Sequence, residues 1–170
     1  MSTLKIGICG WGNVATGLYK IAKNNIESIK KQGNLDIEIV VIGARRDNPN
    51  CKPENVIIER DIFNVVNHDI DVMVELIGGV DVAKDLILKA LKKKKHVVTA
   101  NKAVIYNHGD EIFACAKENG VKVLFESSVC AGTPIIKLLT EELSANKISK
   151  ISGMLNGTCL LYTSDAADDP

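Results

Sequence analysis

The sequence predicts an α/β fold, a doubly wound and mostly parallel sheet with helices on both faces. Three observations predict it. Short apolar runs rich in isoleucine and valine read as buried strands, longer stretches with apolar residues at helical spacing alternate with them, and glycines stand where several of these elements end. Strands joined through helices of this length require right-handed crossovers, which bring the strands parallel.

The elements follow in order. Leu4 to Cys9 is a strand closed by Gly10. Val14 to Lys31 carries apolar residues at Val14, Leu18, Ile21, Ala22, Ile26 and Ile29, one face of a single helix that Gly33 ends. Ile37 to Ile42 is a second strand. Ala44 to Asn55, with its Arg, Asp, Asn and Pro content, is a surface loop, and Asp61 to Asn67 is a short helix. Val72 to Ile77 is a strand closed by Gly78-Gly79, Val82 to Leu91 a helix, His96 to Thr99 a strand, His108 to Asn119 a helix ended by Gly120, and Val121 to Phe125 a strand. Pro134 to Leu143 is a helix with a proline in its first turn. Ile148 to Leu155 is one more strand, which opens a second, α+β domain. The predicted organisation is a cofactor domain over 1–147 and the start of a substrate and dimerisation domain over 148–158.

Composition excludes several classes of function. The 170 residues hold 21 Lys+Arg and 21 Asp+Glu, so there is no basic footprint for nucleic acid and no polybasic membrane anchor. No apolar run reaches the roughly 20 residues needed to span a bilayer, and the opening nonapeptide is too short for a signal peptide. Five cysteines, Cys9, Cys51, Cys115, Cys130 and Cys159, stand singly, without the close pairs of a zinc or redox site. The expectation is a reduced, cytoplasmic protein whose partners are small molecules or further copies of itself.

The most specific local motif is Gly10-Trp11-Gly12-Asn13-Val14-Ala15, between the first strand and the first helix. Gly10 allows the tight turn, Gly12 lets the backbone approach a pyrophosphate, and Ala15 is small enough for close packing of helix on strand. The helix N-terminus, from Asn13 and Val14, offers unpaired N–H groups to the phosphates. The motif in this context predicts a Rossmann-like dinucleotide site; the alternative is that it is merely a glycine-rich strand-to-helix turn. An NAD-selective site usually carries an acidic residue at the end of the second strand, where this chain reads Gly43-Ala44-Arg45-Arg46. Two guanidinium groups there favour a 2′-phosphate, hence NADP. The alternatives are that both arginines are solvated loop residues, and that Asp47 admits NAD.

Four longer segments, Val74 to Gly79, His96 to Ala103, Phe125 to Pro134 and Gly153 to Thr158, closely resemble in order and spacing those of homoserine dehydrogenases. The resemblance covers residues 1–158. It implies an oxidoreductase that interconverts L-homoserine and L-aspartate 4-semialdehyde with NAD(P), on the route to threonine and methionine, and that is a homo-oligomer at full length. It implies that Ile77 and Gly78 lie near the nicotinamide, where glycines at a strand's carboxyl end leave room for a flat ring. It implies that Lys102 lies at cofactor and substrate and helps move the alcohol proton, a role that suits a desolvated lysine. Finally, it implies that Glu126, Val129, Ala131 and Thr133 hold a monovalent cation such as sodium, mostly through carbonyl oxygens. Ala131 and Thr133 stand where the family more often has Gly and Ile, which matters if the loop needs a positive φ there. The competing reading of Glu126 is a buried carboxylate paired with a neighbouring N–H.

Other candidates have simpler explanations. His68, His96 and His108 are isolated, Ser127-Ser128 has no base at a recognisable offset, and Lys92 to Lys95 complement a helix C-terminus. The family's acidic substrate cluster and second lysine are not found in the chain. Residues 159–170 depart abruptly from the family pattern and resemble a translated sequencing adapter; a natural acidic tail is the alternative. Two other functional classes stay open: a stand-alone NAD(P)-binding sensor, which has no need of Lys102, and another two-domain amino-acid dehydrogenase, against which the Asn156-Gly157-Thr158 segment speaks.

Overall fold

A computed structural model describes residues 2–153. Its contacts divide the chain into two compact units, one ending at Phe125 and one beginning at Glu126.

The first unit is a six-stranded parallel sheet: β1 (Thr3–Cys9), β2 (Asp36–Gly43), β3 (Ile57–Glu59), β4 (Val72–Glu75), β5 (His96–Thr99) and β6 (Val123–Leu124). The spatial order is β3-β2-β1-β4-β5-β6. The chain therefore builds outward from β1 on one side and then returns to build outward on the other. Between β1 and β4 the winding reverses, and that crevice is where open α/β sheets bind ligands.

Alternation along the strands sorts the core into two faces. Cys9, Val41, Met73 and Val97 point to one side, where α3 (Asp81–Lys92), α4 (Lys102–Asn119) and a 3-10 helix (Ile62–Asn67) cover them with Leu86, Ile87, Ile112, Val65 and Val66. Each fully buried aliphatic side chain of this kind contributes about 1.5–3 kcal/mol. Ile8, Ile42 and Val74 point to the other side, against Ala15 and Tyr19 of α1 (Asn13–Asn24). That second face is covered less completely than the fold class predicts. Among the described residues Val72, Val98 and Leu124 line an open apolar groove beside α1.

Several boundaries differ from the sequence prediction. The first helix is two, α1 and α2 (Ile26–Gly33), because Asn25 at φ −111° and ψ 16° interrupts it. Its side-chain amide donates back to the Ile21 carbonyl at 2.9 Å, the local competition that makes Asn a poor interior helix residue. Asn34, left-handed at φ 49°, terminates α2 in place of the expected Gly33. Strand β3 was not predicted: three residues are too few to show a period, and it exists by pairing with the edge of β2. Strand β4 stops at Glu75, two residues early. Helix α4 begins at Lys102, six residues before the predicted His108, because the Asn101 side chain caps it by accepting the Val104 N–H at 3.1 Å; His108, at φ −135°, is instead a kink inside it.

The second unit holds the short α5 (Glu126–Val129), α6 (Ile135–Lys137) and a π-helical turn over Leu138–Glu142. Residues 148–153 have no regular structure, so the expected strand over Ile148 to Leu155 does not form in its described part. Met154 to Thr158 and the 159–170 tail lie outside the described residues.

Candidate functional site at the sheet switch point

Gly10 leaves β1 at φ 103°, a region closed to side chains, and its N–H donates to Gly43 O at 2.8 Å. A Cβ there would lie 2.6 Å from the Leu76 carbonyl oxygen, so the turn after β1 runs against the turn after β4 with only a glycine's thickness between them. Gly12 differs in kind. It is the N-cap of α1 in ordinary extended backbone, and nothing lies within 4 Å of where its Cβ would be. The space above it is open, and the first amides of α1 point out with no intrahelical acceptor. A pyrophosphate fits that cradle by charge and by room. Ala15, 1% exposed, gives the close helix-to-sheet packing expected of it.

The loop after β2 is more than a surface loop, because Trp11 fastens it to the glycine turn. The indole N–H donates to Cys51 O at 3.2 Å, Asn48 donates to Trp11 O at 3.3 Å, and the ring packs edge-on against Tyr19. Arg45 and Arg46 are exposed on the rim of a cleft of about 460 Å³ that also includes Gly10, Gly12 and Ile77. Neither arginine makes a hydrogen bond or ion pair to a described residue. Asp47, which would favour NAD, is held by Arg60: the guanidinium reaches Asp47 Oδ1 at 2.7 Å and Ala44 O at 3.2 Å. Arg60 follows the unpredicted β3, so nothing in the sequence pattern brought it to this place.

A second cleft, of about 390 Å³, meets the first at Leu76 and is lined by Val14, Glu75, Gly78, Asn101 and Lys102. Val14 is apolar and 64% exposed here, a suitable wall for a flat ring. A larger cavity lined by described residues, about 570 Å³, is the apolar groove on the sheet face. The two smaller clefts are the better candidate because convergent polar groups and the topological switch point lie there.

Lys102 is the first residue of α4. A cation at that end opposes the helix dipole, so helix stability gives no reason for it. The side chain is exposed and, among the described residues, has no hydrogen-bond or ion-pair partner, so the described residues alone do not supply the expected desolvation.

In the second unit, the Glu126 carboxylate accepts the Ile136 and Lys137 N–H groups at 2.8 and 3.0 Å, capping α6. This matches the competing reading of Glu126 as a carboxylate paired with backbone, although each oxygen keeps a second lone pair. The positive φ of the loop falls on Gly132, at 82°, and not on Ala131, so replacing the family's usual glycine there costs no strain. Val129, Ala131 and Thr133 are on this loop. Among the described residues no three His, Cys, Asp or Glu side chains cluster as a metal site.

Comparisons with known proteins converge. A family described as homoserine dehydrogenase, NAD binding domain, matches residues 10–126. The homoserine dehydrogenase of Pseudomonas aeruginosa is 50% identical over 159 residues, which are 93% of this chain and 37% of that protein. The crystal structure of a homoserine dehydrogenase from Thiobacillus denitrificans superposes with a TM-score of 0.80 at 38% identity, over 86% of this chain and 34% of that one. A hyperthermophilic archaeal homoserine dehydrogenase solved in complex with NADPH superposes at 0.66 with 26% identity, over 81% of this chain and 48% of that one. The chain thus spans little more than a third of the length of the curated relatives it matches.

Proposed function

The chain belongs to the homoserine dehydrogenase family, and on that premise we propose that it is the cofactor-binding part of an enzyme interconverting L-homoserine and L-aspartate 4-semialdehyde, with NADP preferred over NAD. The observation that carries the proposal is the pair of clefts at the switch point, whose linings share Leu76. Free guanidinium groups stand at one end, the glycine turn and the α1 N-terminus in the middle, and Lys102 at the other. That is the order in which a 2′-phosphate, a pyrophosphate and a nicotinamide follow one another.

When bound, the nicotinamide supplies the hydride acceptor. The chain's own groups bind and orient it: Gly12, Asn13 and Val14 at the pyrophosphate, Arg45 and Arg46 at the 2′-phosphate, Ile77 and Gly78 beside the ring. Pairing of Asp47 with Arg60 removes the carboxylate that would repel a phosphate. As the alcohol carbon loses hydride its hydroxyl must lose a proton, and Lys102 on this rim takes it when its amine is in the neutral form. Burial of that lysine is then supplied by cofactor, substrate and the remainder of the longer protein.

The proposal also includes a sodium-like ion on the Glu126, Val129, Ala131 and Thr133 loop, whose carbonyl and carboxylate oxygens are hard donors. It includes the division of the chain at 147/148, homo-oligomerisation of the full-length enzyme, and a cytoplasmic location, where single cysteines stay reduced.

The experiment is oxidation of NADPH by aspartate semialdehyde, measured for this chain and for a full-length family enzyme carrying its residues 1–153, each with and without Lys102→Ala. We expect turnover only in the longer protein, and its loss with Lys102→Ala. A near-attack geometry is worth as much as ~7–11 kcal/mol of barrier, and the acidic cluster and second lysine that the resemblance implies for the substrate have no match in this sequence. Turnover by the chain within tenfold of the longer protein would refute the proposal. A longer protein that binds NADPH without turnover and is indifferent to Lys102 would favour a sensor.

A further inference from the structure

Glu75 closes β4 and is fully buried, an unusual place for a carboxylate. Both of its oxygens are engaged. Oε1 accepts the Ile77 N–H at 2.9 Å, and Oε2 accepts the Thr99 hydroxyl at 2.5 Å from the adjacent strand β5, where Glu75 and Thr99 are register partners. The Thr99 oxygen accepts the Asn101 N–H at 3.0 Å. Asn101 donates through its side chain to Gly79 O at 2.6 Å while its Oδ1 caps α4, the helix that begins with Lys102.

These bonds form a closed circuit. It runs from the turn after β4, through the buried carboxylate, to the turn after β5, and back to the first turn at Gly79. Glu75 and Asn101 line the cleft that holds Val14, Gly78 and Lys102, and Gly79 and Thr99 are chain neighbours of residues that line it. Only Ile77 among them lines the cleft of Gly12, Arg45 and Arg46, and the hydrogen bond that holds it is accepted by Glu75 Oε1, not made by the Thr99 arm. The fold did not need a charge here to complete β4: an apolar residue at this buried position would avoid the cost of desolvating a carboxylate. What the carboxylate adds is two acceptors aimed at two different loops.

We propose that Glu75, acting through Thr99 and Asn101, is a positioning residue for the nicotinamide end of the cofactor: it sets the Ile77-Gly78 turn on one side of the ring and Lys102 on the other. The proposal rests on the cofactor reading above and adds to it a residue outside the binding cradle. It separates the two ends of the site. The nicotinamide end depends on the Thr99–Asn101 arm of the circuit, and the adenosine and 2′-phosphate end meets the circuit at Ile77, which that arm does not hold.

The test uses this chain, with NADPH and adenosine 2′,5′-bisphosphate as probes, the second lacking the nicotinamide half. Thr99→Val is the main variant because it removes the hydroxyl at nearly constant volume; Thr99→Ser restores it, and Glu75→Gln keeps the shape while removing one acceptor. Thermal melts identify any variant that does not fold. In the parent chain NADPH should bind more tightly than the bisphosphate. Thr99→Val should weaken NADPH by about tenfold, the scale of one hydrogen bond to a charged acceptor, and leave the bisphosphate within about twofold, while Thr99→Ser recovers most of the difference. Equal losses for both probes, or no loss for either, would overturn the positioning role, since the circuit would then be structural or idle. A parent chain that binds both probes equally would also overturn it. A parent chain that binds neither overturns the cofactor reading itself, and this inference with it.

Discussion

Gly12→Asp should stabilise the protein and destroy its affinity for dinucleotide. Gly12 is the N-cap of α1, with φ −91° and ψ −165°, no side-chain cap, and no atom within 4 Å of a new Cβ. Aspartate is among the preferred N-cap residues. Relative to glycine it should gain a few tenths of a kcal/mol from the cap and about 0.3–1 kcal/mol from the helix dipole, for a total of about 0.5–1.5 kcal/mol. The same carboxylate would stand where the pyrophosphate must approach. A pair of unit charges about 4 Å apart repel by ~1 kcal/mol in water and by ~4 kcal/mol at an effective dielectric of 20, and this cleft is open enough to fall between those limits. Affinity should therefore drop by about one to three orders of magnitude for each phosphate charge opposed. Urea unfolding followed by circular dichroism measures the first effect and calorimetric titration with NADPH the second. Retained affinity would show that the phosphates lie elsewhere. A loss of more than 1 kcal/mol of stability would show that the space above Gly12 is not free.

Gly10→Ala should do the opposite. It forces a side chain into φ 103° and to within 2.6 Å of a backbone oxygen, at a cost of about 2–5 kcal/mol that a lowered urea midpoint would register. Replacing both Arg45 and Arg46 by Ala should remove about 1–3 kcal/mol of preference for NADPH over NADH; equal affinities in the parent chain, unchanged by the substitution, would dispose of the 2′-phosphate assignment. Burial, aided by the neighbouring Glu75 charge, pushes the Cys9 thiol up to about 12. Because only the thiolate reacts, Cys9 should stay unalkylated in the folded protein at pH 8 after the half-buried Cys130 has reacted, and mass spectrometry showing Cys9 labelled as early as Cys130 would contradict its place in the core.

What could be read from the sequence was what neighbouring residues decide among themselves. A short apolar run that makes a buried strand, a helix whose apolar positions recur on one face and a glycine turn between the two all lie within a few turns of chain, so their pattern survives in one dimension. Gly10 as a tight turn and Ala15 as a close helix-to-strand contact are legible on that basis, and in the structure Gly10 has φ 103° and Ala15 is buried. Lys102 is different, because only resemblance singled it out. Local pattern alone placed the start of its helix six residues too late, since the Asn101 cap looks like any polar residue until its partner amide is known. Tertiary structure alone decided the contacts that cross strands. Arg60 meets Asp47 because the three-residue β3 pairs with β2, and Glu75 meets Thr99, 24 residues away, because β4 and β5 pair in that register. Neither pairing leaves a periodic trace, because register is chosen by the sum of packing across the whole sheet. A buried carboxylate is stable only where that register delivers its donors, and so its role became visible only once the sheet was assembled.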